Sequence, residues 1–202
     1  MMKKLILSAV AVTLISSTVF GGALDTKLVG GDAAWVAHVN VEGLLGSELG
    51  KLFLAAAQEK EGFAEGIADI EKLSGCDPLK DIRGVTAYGP RLGANDAVLV
   101  FDATVSSDRV IAALKEKESH KSEKHGKHAT HQWTEKNHRG RDSFACFYDK
   151  TTVVFATSLK RLQGALDVLD GASDNLAKTK AIEALPEAAD GAFFVLAADK
   201  IA

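Results

Sequence analysis

Apolar and polar residues alternate or recur along the chain in ways that predict a coarse element map. Residues 33–41 (AAWVAHVNV) alternate, Trp35 with Ala37 and Val39, and predict a strand. Leu45, Leu49, Leu52, Phe53 and Ala56 follow at i, i+4, i+7, i+8 and i+11, one stripe on a 3.6-residue period. Phe63, Ile67, Ile70 and Leu73 predict a second helix, stopped by Gly75, and Asp77-Pro78 begins a new turn. Strands are predicted at 84–89 and 97–103 around the turn-rich link 90–96, as a hairpin. Ser106 or Ser107 caps a helix with Asp108 in its first turn and Val110, Ile111 and Leu114 on its buried face. Residues 127–135, 143–149 and 152–158 predict three antiparallel neighbours joined by short links. Ser158 then caps a helix carrying Leu159, Leu162, Leu166 and Leu169, closed by Gly171. A last helix is expected over 176–188 and a last strand over 192–198.

Helices fall between groups of strands and not after each one. This predicts an α+β fold with a mainly antiparallel sheet and helices packed on one face, in a single domain over residues 24–202. Residues 31–45 and 189–202 share a scheme of acid, small residue, aromatic, strand and helix start. The likeness suggests an internal repeat whose second copy is truncated, since a helix announced by Asp199-Lys200-Ile201 is not delivered.

The first residues carry an address. Lys3 and Lys4 precede the apolar run 5–15 (LILSAVAVTLI), and Gly21-Gly22-Ala23 offers small residues for a cut after Ala23. A membrane-spanning helix needs about 20 consecutive apolar residues, whereas Ser16, Ser17 and Thr18 interrupt this run. The segment 1–23 is therefore read as a signal peptide, and no later stretch is long enough to span a bilayer. The expected location is periplasmic or extracellular.

Composition changes this picture little: 47% apolar and 25% charged residues describe an ordinary globular chain. Net charge is −3; losing Lys3 and Lys4 leaves 22 basic against 27 acidic groups, which argues against nucleic acid as a partner. The charge is uneven, however. Residues 115–141 hold eight Lys and Arg against four Glu. Such asymmetry can steer an anionic envelope component, with Lys121, Lys124 and Lys127 as contacts and Trp133, two residues from His131 on one strand, as a stacking surface.

Five of the six histidines share that segment. His120, His125, His128 and His131 could supply imidazole ligands to Zn, Cu or Ni, although residues three apart on a strand point to opposite faces. His138 completes the five. His38, on an apolar strand, reads as a satisfied core residue. Cys76 and Cys146 could pair in an oxidising compartment or could both be small buried groups. No GxSxG, GxGxxG, GxxxxGK or HExxH is present, so no catalytic or cofactor-binding residue is assigned.

The order of signal peptide, DAAWVAHVNVEGLL, GCDPLKDIRGVTAYG, the HxxHxW strand and the ALDVLDG helix end resembles a group of exported bacterial proteins of unknown function. The resemblance implies an envelope or extracellular address and supplies no catalytic residues. The expected function is that of a monomeric, noncatalytic binding or scaffold domain. A metal-binding protein and an enzyme of unidentified class are the alternatives.

Overall fold

Alternating side chains build one sheet in the computed structural model, which describes residues 23–91, 96–135, 141–182, 185 and 192–199. All but Ala23 of the expected signal peptide lies outside the described residues, as do Lys200 and Ile201 of the announced helix. The strands are β1 (Trp35–Asn40), β2 (Ile82–Gly89), β3 (Val98–Ala103), β4 (Lys121–His125), β5 (His128–Glu135), β6 (Arg141–Phe147), β7 (Thr152–Ala156) and β8 (Phe194–Ala198). They pair in the order β4-β5-β6-β7-β3-β2-β1-β8, every pair antiparallel. The helices are α1 (Val41–Gly46), α2 (Glu48–Gln58), α3 (Phe63–Ser74), α4 (Ser107–Lys115), α5 (Leu159–Leu169) and α6 (Leu176–Thr179). The expected α+β architecture is therefore the one observed. Within it, the similar segments at 31–45 and 189–202 contribute β1 and β8, which lie side by side.

Helices stand on both faces of the sheet. On the inner face, Leu162 and Leu166 of α5 are fully buried against Val36, Val98, Val154 and Val195, with Cys146 beneath them. Each such leucine contributes about 1.5–3 kcal/mol of burial free energy. The opposite face carries apolar groups as well, and Leu114 of α4 covers Trp133 and Ala145 there, with Val110 and Phe155 alongside. One helix layer would have left this second cluster in water.

Local signals explain most boundaries. Asn40 accepts from the Gly43 amide to start α1, Ser158 accepts from the Arg161 amide to start α5, and Gly75 closes α3 at φ 66. Ser47 links α1 to α2 twice, donating to the Leu44 carbonyl (2.7 Å) and accepting from the Gly50 amide (3.0 Å). Gly50 is required here, because a Cβ at that position would lie 1.8 Å from the Leu44 oxygen.

At four places the structure departs from the sequence reading or decides between its alternatives. The Lys-rich segment before His128 holds a strand, β4, that pairs with β5. The last helix is interrupted: α6 stops at Thr179, where Lys180 turns left-handed at φ 51, Leu185 is helical again, and residues 183, 184 and 186–188 of the expected span lie outside the described residues. The stripe on α2 forms, but Leu52 is 70% and Phe53 63% exposed, so it does not face the core. The cysteines are both free and buried. Cys76 follows α3 near Asp81 and Asp77, whereas Cys146 lies in the inner core near Asp170, so the two thiols occupy separate surroundings. Burial pushes Cys146 up to about 11, with Asp170 adding to the effect.

This packing makes a stability prediction. Leu166→Ala is expected to cost about 3 kcal/mol through lost burial and a residual cavity. Leu52→Ala is expected to stay within about 0.5 kcal/mol of the parent. Urea unfolding of both variants checks the contrast, and equal losses would contradict this assignment of core and surface.

Candidate functional site

The basic, histidine-bearing segment folds as the β4–β5 hairpin at one edge of the sheet. Gly126 and Lys127 make its two-residue turn, and Gly126 supplies the positive φ of 58 that a primed hairpin turn demands at its first central position. His125 and His128 face each other across the ladder, on the side covered by α5. His125 Nε2 lies 2.6 Å from Asp167, and His128 Nε2 lies 3.0 Å from Asp170. Lys127 reaches Asp170 at 2.9 Å, and the Tyr148 hydroxyl donates to the same carboxylate at 2.9 Å while its ring stacks on His128.

A physical reason underlies this gathering. Asp167 and Asp170 sit in the last turn and at the C-cap of α5, the negative end of the helix dipole, where carboxylates are poorly placed. The hairpin brings a lysine and two imidazoles to that end and offsets the mismatch. Hydrogen bonds, first from Lys127, then from His128 and more weakly from Tyr148, hold the Asp170 carboxyl down at about 2 against the opposing effect of burial.

The other two candidate ligands lie on the opposite face. His131 is buried beside Trp133, and His120, from the turn after α4, stacks on it with Nε2 3.2 Å from His131 Nδ1. Burial, then His120 and Lys115, hold the His131 imidazole below the ordinary histidine value. The four histidines thus divide into two pairs on two faces, as the alternation of a strand requires. Among the described residues, no three His, Cys, Asp or Glu side chains gather into a metal-holding group. His138 lies outside the described residues.

Of the expected partner contacts, Lys121 and Lys124 stand exposed on β4, while Lys127 is engaged with Asp170. Trp133 offers no stacking surface. It is 8% exposed and packs edge-on to Phe155, because α4 closes over that part of the sheet. His38 is buried and pairs with Thr86 across β1 and β2 at 2.9 Å.

Sequence reasoning missed a surface on the helices. Leu49, Leu52 and Phe53 of α2 and Ile70 and Leu73 of α3 are all exposed large apolar side chains. Grouped exposed apolar side chains mark interaction sites more often than singly scattered ones do, and these five lie on two consecutive helices. Charge around them is one-sided: residues 42–74 contain Glu42, Glu48, Glu59, Glu61, Glu65, Asp69 and Glu71 against Lys51, Lys60 and Lys72. The acidic excess was legible in the sequence, but the exposure was not, since an amphipathic stripe reads the same whether covered or bare. No helix of the described residues is long and apolar enough to cross a membrane.

No family model matches the chain. No curated protein matches it. Three solved structures do, all of TP0453: crystal form III at 14% identity and TM-score 0.46, form I at 13% and 0.44, and form IV at 10% and 0.42. These alignments cover 72–75% of this chain, which spans 53% of the length of the matched chains.

The Asp170 cluster generates a pH prediction. A carboxyl lowered from 3.8 to about 2 stabilises the fold fully above 3.8, and this contribution is lost as pH falls towards 2. Asp170→Asn is therefore expected to lower stability at neutral pH and to flatten the acid limb between those values. Urea unfolding across a pH series measures it, and an unchanged limb would remove Asp170 from the clamp.

Proposed function

We propose that this protein is a noncatalytic binding or scaffold domain of the cell envelope or extracellular space, docking through the α2–α3 helices. The observation that carries the reading is the exposure of Leu49, Leu52 and Phe53 on α2 and of Ile70 and Leu73 on α3, within an acid-rich segment. An apolar patch supplies burial energy on contact, and the surrounding carboxylates select against anionic surfaces. The matching partner is a protein presenting an apolar surface rimmed by basic residues. The export signal read in residues 1–23 supports the address.

A photo-crosslinker placed at Leu52 in the full chain, in cells, tests this reading. The expected adduct is one defined protein carrying a basic face, lost on Phe53→Glu and weakened by added salt, with no such adduct from a crosslinker at Lys178. Adducts with lipid alone, or an adduct unaffected by Phe53→Glu, would overturn it.

Lys121 and Lys124 favour a second reading, in which the exposed lysines of β4 contact an anionic envelope component. Lysines also protect an edge strand from unwanted pairing, so the readings need separating. Reversing Lys121 and Lys124 to Glu is expected to abolish retention on an immobilised polyanion such as heparin while leaving the Leu52 crosslink intact. Unchanged retention would assign the lysines to edge protection. For the metal alternative, His120 and His131 are the pair close enough to share an ion such as Zn²⁺, Cu²⁺ or Ni²⁺.

A further inference from the structure

A cleft of about 670 Å³ runs along α5 from Ser158 to Val168, beside the Gly30–Asp32 turn, and shares no lining residue with the helical stripe or the histidine hairpin. Tyr88 forms part of its wall. This tyrosine is 3% exposed, and its hydroxyl has no hydrogen-bond partner among the described residues. The Gly30 amide lies beside the oxygen, but an amide is a donor and gives the hydroxyl proton no acceptor. Burial raises the phenol well above its ordinary value, so the group remains protonated and available to donate. A buried hydroxyl without an acceptor costs about 1–3 kcal/mol, and its persistence on a cleft wall calls for an explanation.

The neighbouring charges supply one. Arg161 Nη1 binds Asp32 at 2.7 Å, and its Nε lies 3.7 Å from Asp96, which also pairs with Arg91. These two acids are thereby compensated, and Asp174, the third acid of the lining, lies 3.5 Å from Lys178. Lys160 has no such partner among the described residues, and the Leu159 and Lys160 amides at the start of α5 donate no hydrogen bond there. With Ser158 already committed to the Arg161 amide, the free amides, the helix dipole and Lys160 leave this end of the cleft positive. Val98, Ala165 and Val168 provide an apolar floor.

We propose that this cleft binds a small organic anion, its phosphate or carboxylate oxygens held by Arg161, Lys160 and the α5 amides, with one oxygen accepting from Tyr88. The carboxylate of Asp32, 59% exposed, now stands on Arg161 where the ligand oxygen would bind. Asp32 is the internal occupant that the ligand displaces, and its departure opens the path to the tyrosine hydroxyl. The volume exceeds that of an inorganic anion, so the preferred ligand carries an apolar body over the Val98–Ala165 floor.

Phenyl phosphate and benzoate are the two probes, followed by amide NMR of the full chain with its signal peptide processed. The preferred probe is expected to saturate at about millimolar concentration and to shift the Lys160 and Arg161 amides. Tyr88→Phe should weaken its binding about tenfold while leaving the unliganded protein as stable as before or more so, since an unpaired hydroxyl is removed. Lys160→Gln should weaken binding by a similar factor, and Asp32→Ala should tighten it. Tighter phenyl phosphate identifies the ligand as a phosphate ester, and tighter benzoate as a carboxylic acid; both support the site. Failure of both probes to saturate, or affinity unchanged in Tyr88→Phe and Lys160→Gln, would overturn the proposal. Neither result bears on the α2–α3 crosslink.

Discussion

Burial of α5 on the inner face of the sheet is the constraint around which the described fold is arranged. Leu162 and Leu166 are fully buried, and they meet side chains from strands as distant in the sheet order as β6 and β1. The N-terminal segment is held to the same layer: Val29 is fully buried, and its carbonyl accepts from the Leu176 amide. Once α5 is fixed, its two ends create the polar features of the molecule. The C-terminal end carries Asp167 and Asp170 and draws the β4–β5 hairpin onto itself. The N-terminal end leaves amides and Lys160 beside a cleft. Opposite ends of one helix dipole thus meet cations at one side and are open to anions at the other.

Much of this arrangement was legible in residues whose pattern has a single physical reading. Ser158, the leucines at 159, 162, 166 and 169, and Gly171 announce α5, because a capped 3.6-residue stripe fits nothing else. The alternation in 143–149 and 152–158 gave β6 and β7 to within two residues at each end. Strand β4 was hidden because KSEKH has no apolar face to alternate; it is an edge strand kept in place by its partner and by the turn at Gly126. Lys180 hid for the opposite reason. A non-glycine residue at φ 51 carries no sequence signal, so the apolar spacing of Leu176, Ile182 and Leu185 read as one longer helix.

The histidine segment shows how composition can mislead about chemistry. Clustering in sequence suggested ligands, but a two-residue hairpin turn places His125 and His128 directly opposite each other, and alternation sends His131 to the far side. What the sequence could not display was Asp167 and Asp170, about 40 residues downstream, whose position at a helix C-terminus makes nearby cations favourable. The same limit applies to the candidate cleft. Tyr88, Asp32 and Arg161 come from three distant segments, and their relation exists only after β2, the Gly30 turn and α5 have packed together.

The two edges of the sheet differ in the charge of their side chains. Strand β4 carries Lys121, Glu123 and Lys124 on an exposed ribbon, the kind of edge that resists pairing with a foreign strand. Strand β8, at the other edge, presents Phe194 and Leu196 at 38% and 42% exposure and has no charged residue within its span. Among the described residues, charge thus guards one edge and not the other. Exposed apolar groups on a strand favour association, and charged ones oppose it. Among the described residues, the large exposed apolar side chains therefore fall on β8, α2 and α3.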